Sequence, residues 1–472
     1  MSTPPSNSKA IPSNSMNANY PKIIRLGAGL SLLAALLAFF VRVSEAQTPT
    51  PQRLSLGDAA RLAAAQTAAV QGAAARVQQA QGRVTQSRSA LLPQIEAVPN
   101  WSSHTVNSAS FGFNFPTAPG QPPLLDPNGQ IIGPVKLYDL RGQASQSLFD
   151  PGALGRVRAA RAGVAAASSD VAVAAEQAAT NAAVTYIREL RSETTLQARI
   201  ADSTLAADLL SIARSQLTAG VGVALDVTRA QSQLANARAQ LISARNDRDR
   251  SQLDLRRALN LPLDTPIQLT DSLNSVTPAE AINEQATIDV AVRTRPDIRA
   301  VDAQLAAAEQ QLAAIRASRL PTVGLFGNDG ANGIGPNHLL NTYSYGVQVT
   351  WPAFEGGRRE GQQQEQEAVA REIDIRRRDL RQQVAVDVRG AVLDIASARE
   401  QVDAARERQR LAELEVEQAR ERFRAGVAGN ADVITALGGL NAARTGLIDA
   451  LAAYQTARIA LARAEGTVSQ LR

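Results

Sequence analysis

A seam of residues spaced alternately three and four apart runs through the C-terminal part of the chain: Val433, Ala436, Leu440, Ala443, Leu447, Ala450, Tyr454, Ala457, Leu461 and Ala464. A large residue alternates with alanine throughout. The same pattern occurs earlier as Val227, Ala230, Leu234, Ala237, Leu241, Ala244, Arg248, Ser251, Leu255 and Ala258, with two polar interruptions. This spacing keeps one helix face against a partner helix, as in a coiled coil, and the alanines let the partner approach closely. A duplicated long coiled coil points to a scaffold or conduit rather than a catalytic pocket.

The rest of the pattern is also duplicated: helix, strand pair, very long helix, tight turn, helix. Leu56–Leu92 reads as one Ala-rich helix ending at Pro93, because proline cannot continue the backbone ladder. Phe111, Phe113 and Phe115 alternate with Gly112 and Asn114. Pro116 to Pro134 is a Gly/Pro-rich loop, Val135–Phe149 is strand-like, and Asp150-Pro151-Gly152 is a turn. In the second copy, Pro296–Arg319 is helical, Thr322–Asp329 is a strand and Gly330–Asn341 is a loop. Tyr343, Tyr345, Val347, Val349 and Trp351 then alternate with Ser344, Gly346, Gln348 and Thr350, the cleanest period-two signal in the chain. Ala153–Leu217 and Arg358–Phe423 are helices of about 65 residues, or roughly 100 Å at 1.5 Å per residue. Each ends at a glycine-containing turn, Thr218–Gly222 or Arg424–Gly429, where a reversing helix favours glycine. Leu261–Thr294, with Pro262, Pro266 and Pro278, connects the copies as an equatorial patch.

Composition narrows the function. The absence of cysteine excludes disulfides, thiolate nucleophiles and zinc-thiolate sites. His104 and His338 are far apart and read as solvated loop residues, so no metal site or cofactor is expected. No nucleophile–base pair or phosphate loop is evident, so an enzyme is not expected. Basic and acidic residues intermingle over Arg399–Arg424 without interleaved aromatics, which argues against nucleic acid. The formal charge of +5 drops to about +2 once Lys9, Lys22, Arg25, Arg42 and Glu45 are set aside with the N-terminal segment.

That segment reads as a secretory signal, residues 1–46. Lys22 and Arg25 precede the apolar stretch Leu26–Val41, and Ser44-Glu45-Ala46 supplies a small-x-small cleavage pattern. Met16 is an alternative start. The apolar run is about 16 residues, short of the roughly 20 that span a bilayer. No other stretch is long and apolar enough for a membrane helix.

Four strands with an apolar face cannot close a membrane barrel alone, since small barrels need about eight. The chain is therefore expected to oligomerise, and a trimer with 12 strands is the simplest cyclic solution. The helical hairpins would close into a tube of the same symmetry. The expected division is a signal at 1–46 and one protomer at 47–472. Within it, 93–150 and 320–355 are barrel strands and the loops that join them, and 54–92, 153–260, 297–319 and 358–466 are helices of the tube. Residues 261–296 are the equatorial connector.

The sequence resembles the TolC family of outer-membrane efflux proteins. The matching stretches are Leu54-Ser55-Leu56-Gly57-Asp58-Ala59-Ala60, Arg295-Pro296-Asp297-Ile298-Arg299-Ala300, Trp351-Pro352-Ala353-Phe354-Glu355-Gly356-Gly357-Arg358 and Arg422-Phe423-Arg424-Ala425-Gly426. Their order, together with the duplication, covers residues 54–466. The resemblance implies a mainly α fold with a homotrimeric 12-stranded β-barrel continuous with a periplasmic α-helical barrel. It implies an exit duct for efflux or type I secretion, spanning the outer membrane and docking to a periplasmic membrane-fusion adaptor and an inner-membrane transporter. A coiled-coil adaptor is the alternative reading, but it would lack the strand pairs and carry a lipoyl-like β module, which the sequence does not show.

By this resemblance the two turns are periplasmic tips: Gly220, Val221 and Gly222 in one, Gly426, Val427 and Ala428 in the other, all candidates for adaptor docking. Asp226, Asp432 and Phe423 are candidates for the tunnel entrance. An aspartate near a helix N-terminus also satisfies free N–H groups and the helix dipole, and the two roles are compatible. The family's gate pattern has a tyrosine, an arginine and a further aspartate where this chain has Phe423, Ala428 and Thr435. Closure here must rest on packing or on other charges. Tyr343, Tyr345, Val347, Val349 and Trp351 are expected to face lipid. The sequence does not specify the cargo.

Overall fold

The computed structural model describes residues 51–112, 128–276 and 283–471. The signal segment, Phe113, Phe115 and parts of the first loop and of the connector lie outside the described residues. Residues Gln52–Arg472 form one unit. Its elements are β1 (Gln52–Leu54), α1 (Leu56–Gln66), α2 (Ala68–Ser89), β2 (Gln94–Asn107), β3 (Ile131–Phe149), α3 (Pro151–Thr218), α4 (Ala224–Ala258), β4 (Ile267–Leu269), α5 (Glu284–Thr294), α6 (Pro296–Ala317), β5 (Thr322–Gly333), β6 (Leu340–Thr350), α7 (Arg358–Arg424) and α8 (Asn430–Glu465).

The long helices α3 and α7 span 68 and 67 residues. The start of α3 is fixed by Asp150, whose carboxylate accepts from the Ala153 amide at 2.7 Å, with Pro151 at the first helical position. Proline suits that position because it has no N–H to leave unpaired. The segment read as a turn is thus a helix cap. α7 begins after Gly356 and Gly357, both at positive φ.

One helix of the expected plan is two. The break between α1 and α2 lies at Thr67, with extended backbone (ψ 151°). The Gln66 carbonyl accepts from the Asn260 side chain at 2.9 Å, and the Gln66 side chain donates to the Leu259 carbonyl at 2.8 Å. Asn260 thus takes up the carbonyl that a continuous helix would have used, and α1 turns to bury Ala59, Ala60 and Ala63 in the central core. No proline or glycine marks this break.

The strands form one antiparallel sheet in the order β2-β3-β5-β6. β5 and β6 extend into the stretch expected to be a loop, and in β5 the glycines Gly330 and Gly333 keep the backbone ladder while removing side-chain bulk. A side chain at Gly330 would overlap the Arg141 backbone on β3. At Phe111, expected to alternate in a strand, the chain forms a short 3-10 helix, Ser108–Phe111. A parallel pair, β1 with β4, lies in the equatorial region. The connector also holds α5.

The helices pack side by side. Towards the turns the order is α4–α3–α8–α7, and towards the sheet it is α2–α3–α6–α7. The heptad seams are the packing seams. Val433, Ala436, Leu440 and Ala443 are buried with Ala230, Leu234 and Ala237 in one cluster near the turns. Tyr454, Ala457 and Leu255 join the equatorial core around Tyr186. Leu437, Leu451 and Ile459 add a second buried line on α8.

The polar interruptions have partners. Ser251 hydrogen-bonds the buried Glu189 carboxylate, and Arg248 lies 3.8 Å from Glu193. Burial pushes the Glu189 carboxyl above its ordinary range, against the pull of hydrogen bonds from Ser251 and Gln252.

Candidate channel surfaces and hairpin tips

The sheet has two unlike faces. Tyr343, Tyr345, Val347 and Val349 share one face and are 63–80% exposed. Across the ladder, Leu325 pairs with Val347 and Val323 with Val349. The same face continues through Leu140 to Ile95 and to Trp101, which pairs with Tyr138. Trp351 follows the end of β6 and is 67% exposed. The opposite face is polar and internally bonded. Arg141 donates to Asp139 at 2.9 Å and to Asn328 at 3.3 Å, and Asn328 donates to Ser344 at 2.8 Å. One network therefore crosses β3, β5 and β6.

Ion pairs explain two sequence motifs, one at the joint between sheet and helices and one at the equatorial end of α6. Glu355 pairs with Arg358 at 2.8 Å and Arg359 at 3.1 Å, and Arg359 donates to the Pro352 carbonyl at 3.1 Å. This fixes the exit of β6 into α7. Arg295 is tied to Asp297 at 2.7 Å and Asp387 at 2.8 Å. That joins the start of α6 to α7.

Both hairpin turns close in the same way. The Val221 amide bonds the Gln216 carbonyl at 3.0 Å and the Val427 amide bonds the Arg422 carbonyl at 3.0 Å. Gly220 and Gly426 sit at φ +77° and +71°. This is a six-to-one helix-ending bond with a left-handed glycine. A Cβ at either glycine would meet nothing within 4 Å, so backbone conformation, not space, requires glycine there. Gly222 is different: a Cβ would lie 2.9 Å from Gln216. Val221 and Val427 are exposed at 80% and 73%, and Ala428 is half-buried.

The candidate entrance residues separate. Asp226 and Asp432 both lie in the first turn of their helices. The Asp432 side chain is 56% exposed and 3.9 Å from Arg422, whereas that of Asp226 is 14% exposed and 3.8 Å from Arg229. Phe423, expected at the entrance, is buried in the apolar cluster between the hairpins. That cluster, drawn from α3, α4, α7 and α8, gives its ring a dry site.

Two contacts had no signal in the sequence. The Gln216 side chain donates to the Phe423 carbonyl at 3.0 Å, and Asn430 donates to the Asp226 carbonyl at 2.6 Å. Each ties one hairpin to the backbone of the other. Further up, the Asp202 side chain, 2% exposed, is bound by Arg199 at 3.0 Å and Arg444 at 2.9 Å, joining α3 to α8. Among the described residues no group of His, Cys, Asp and Glu could hold a metal, and no helix is long and apolar enough to cross a membrane.

Residues 59–261 and 287–467 match the sequence profile of the outer membrane efflux protein family. Among curated relatives, the probable efflux pump outer membrane protein SepC of Pseudomonas putida is 32% identical over 177 residues, 35% of this chain and 35% of the relative. The alkaline protease secretion protein AprF of Pseudomonas aeruginosa is 27% identical over 147 residues, 30% of this chain and 31% of the relative. The chain thus spans about a third of the length of these curated relatives. Among solved structures, the outer membrane protein VceC of Vibrio cholerae superposes with a TM-score of 0.67 at 19% identity, covering 87% of this chain and 96% of that one. The open state of the Neisseria gonorrhoeae MtrE outer membrane channel gives 0.68 at 18% identity, covering 87% and 88%. These likenesses establish the fold, and the match over both halves of the duplication establishes the ancestry. The chain belongs to the outer membrane efflux protein family.

Proposed function

We propose that this protein is the outer-membrane exit duct of a tripartite efflux or type I secretion assembly. It would conduct cargo passively from a periplasmic membrane-fusion adaptor and an inner-membrane transporter to the exterior. The observation that carries this reading is the sheet: four strands with an apolar outer face, a bonded polar face, and two unpaired edges, β2 and β6. Backbone groups in lipid need partners, so such a sheet must close with copies of itself. The helices agree, since α7 lies at one edge and α2 and α4 at the other. The edge β6/α7 of one copy would therefore meet the edge α2/β2/α4 of the next, and a homotrimer supplies the 12 strands. Trp351 at one end and Tyr343, Trp101 and Tyr138 nearer the other fit the aromatic girdles that flank a lipid band.

The hairpin turns, Gly220–Gly222 and Gly426–Ala428, would be the docking tips, and Asp432 would line the entrance. Asn430 and Gln216 would hold the entrance closed where the family's gate residues are replaced by Phe423, Ala428 and Thr435. The efflux and the alkaline protease secretion named for the two relatives fit the same duct, and the cargo is left open between them.

The test is purification from outer-membrane fractions, native mass in detergent and conductance in planar bilayers. A trimer forming a cation-preferring channel is expected. A non-conducting monomer overturns the proposal.

A further inference from the structure

Just below the sheet, the two copies of the duplication differ in charge on one surface. α2 and α6 are both 22 residues long, and Arg88 and Arg316 hold the same place in them, second from the end. Counting back from Gly220 and Gly426 sets Leu154, Arg158 and Arg161 on α3 opposite Glu360, Gln364 and Glu367 on α7. In the second copy Arg316 pairs with Glu367 at 3.0 Å and Arg319 with Glu360 at 3.5 Å. In the first copy both glutamates are replaced, one by a leucine and the other by a further arginine. α2 itself has no acidic residue. Arg88, Arg158 and Arg161 are exposed, and among the described residues none of them has an ion-pair partner. Arg156, on the other face of α3, is tied to Asp150 at 3.5 Å.

The face that carries them can be placed. Leu154, Arg158 and Arg161 follow one another at single-turn spacing on α3. Arg158 and Arg161 lie about five turns above Glu176 and Ala179. Glu176 accepts from the Val468 amide at 2.8 Å, and Ala179 is buried in the equatorial core. That core and the C-terminal tail would block the bore of a duct, so this face of α3 is the outer one. Arg316 and Glu367 meet across the α6–α7 seam, which sets Arg88 beside Arg161 across the α2–α3 seam. All three arginines lie within about 20 Å of the sheet along their helices. Helical side chains lean towards their own N-terminus. α3 starts at the sheet and α2 ends there, so Arg158 and Arg161 lean up and Arg88 leans down, towards one level. Between them and the sheet, Leu154 is 43% exposed. An outward apolar side chain followed by cations one and two turns further from the lipid band is the order of a membrane interface.

We propose that Arg88, Arg158 and Arg161 form an outward collar that binds the phosphate headgroups of anionic phospholipid in the periplasmic leaflet of the outer membrane. Guanidinium groups take phosphate through paired N–H bonds, and basic segments beside a membrane are drawn to anionic lipid. Three arginines per copy become nine around a trimer. The inference rests on the duct reading and adds a lipid preference to it.

The experiment uses the full-length trimer in neutral detergent, with phosphatidylglycerol or phosphatidylcholine added. Thermal unfolding and the lipid retained in native mass spectrometry are the readouts. Wild type should retain severalfold more phosphatidylglycerol than phosphatidylcholine and should melt several degrees higher with the former. The triple variant Arg88→Gln, Arg158→Gln and Arg161→Gln should retain both lipids equally and lose that rise, with trimer yield and melting in phosphatidylcholine unchanged. Arg316→Gln, at the paired place in the second copy, should keep the phosphatidylglycerol effect. The collar is overturned if wild type does not prefer phosphatidylglycerol, if the triple variant keeps the preference, or if Arg316→Gln removes it equally. Equal stabilisation by inorganic phosphate would make this a free-anion site and overturn the lipid assignment. Loss of the trimer from the triple variant in neutral detergent alone would assign the arginines to the next copy's carboxylates instead. A wild-type protein that forms neither trimer nor channel overturns the duct reading itself.

Discussion

Asp226 and Asp432 occupy the same place in the two copies, yet only the second is open to solvent. On the proposed duct reading, one exposed carboxylate per chain would become a ring of three in a trimer and would draw cations into a narrow aqueous opening. Asp432→Asn should reduce cation selectivity in planar bilayers and weaken block by multivalent cations. Asp403→Asn, on the charged face of α7 and well above the turn, should do neither. Equal selectivity for wild type and Asp432→Asn assigns the residue to helix capping alone. Glu189 gives a prediction in pH. Burial raises its folded pKa above the ordinary value. Its favourable contribution is therefore complete below about pH 4 and is lost as pH rises through the raised pKa. Glu189→Gln, which keeps the hydrogen bond to Ser251, should be more stable than wild type at pH 7, by roughly 1 kcal/mol. The advantage should vanish at pH 4, as followed by thermal unfolding. At this scale the sequence revealed the polar breaks at Arg248 and Ser251 but not what answers them. Glu189, Asp202, Gln216 and Asn430 act through partners tens to hundreds of positions away, and no local period marks such pairs.

Elements were far more legible, because helix and strand periods are local. The long helices, both turns and the β6 alternation follow from spacing and glycine placement. The α1–α2 break at Thr67 does not, since distant Leu259 and Asn260 produce it. The extension of β5 was hidden because glycine marks loops and close-packed strands alike. Two predictions belong to this scale. Gly426 is left-handed with open space around it. Gly426→Val should cost about 1–2 kcal/mol in local backbone strain and abolish export while trimer yield stays normal. Gly426→Asn, which tolerates that conformation, should retain most of it; loss of the trimer in either variant would remove this turn from a docking role. On the sheet, Val347→Arg places a charge on the apolar face and should lower assembled channel by roughly 2–4 kcal/mol of insertion stability. Gln348→Arg, one residue on and facing the polar side, should be tolerated. Equal damage from both would mean that the two faces do not meet different solvents.

At the scale of the molecule, the protomer has one edge made of β6 and α7 and another made of α2, β2 and α4. Two unlike edges make a heterologous contact, which closes into a ring when the rotation allows. The sequence implied oligomerisation by counting strands, but only the packing order shows which helices are left over. α7 carries the evidence on its outer side. Val384, Val388, Ala391, Ala398 and Val402 are buried within the protomer, while Ile375, Val386, Leu393 and Leu411 are 52–68% exposed. Ile375, Leu393 and Leu411 recur at intervals of about five turns, with Val386 one heptad before Leu393, so all four lie on one stripe facing away from α8. A stripe of this kind left in water marks a protein contact. Across the proposed junction, α4 presents Ile242 and Leu253, exposed at 66% and 44%. Leu393→Glu should therefore weaken the trimer in detergent while leaving each protomer's helical content and proteolytic resistance unchanged. Val388→Glu, on the buried side, should instead disrupt the protomer itself. If Leu393→Glu leaves the trimer as heat-resistant as wild type, the α7 stripe faces something other than the next copy, and this arrangement of edges is wrong.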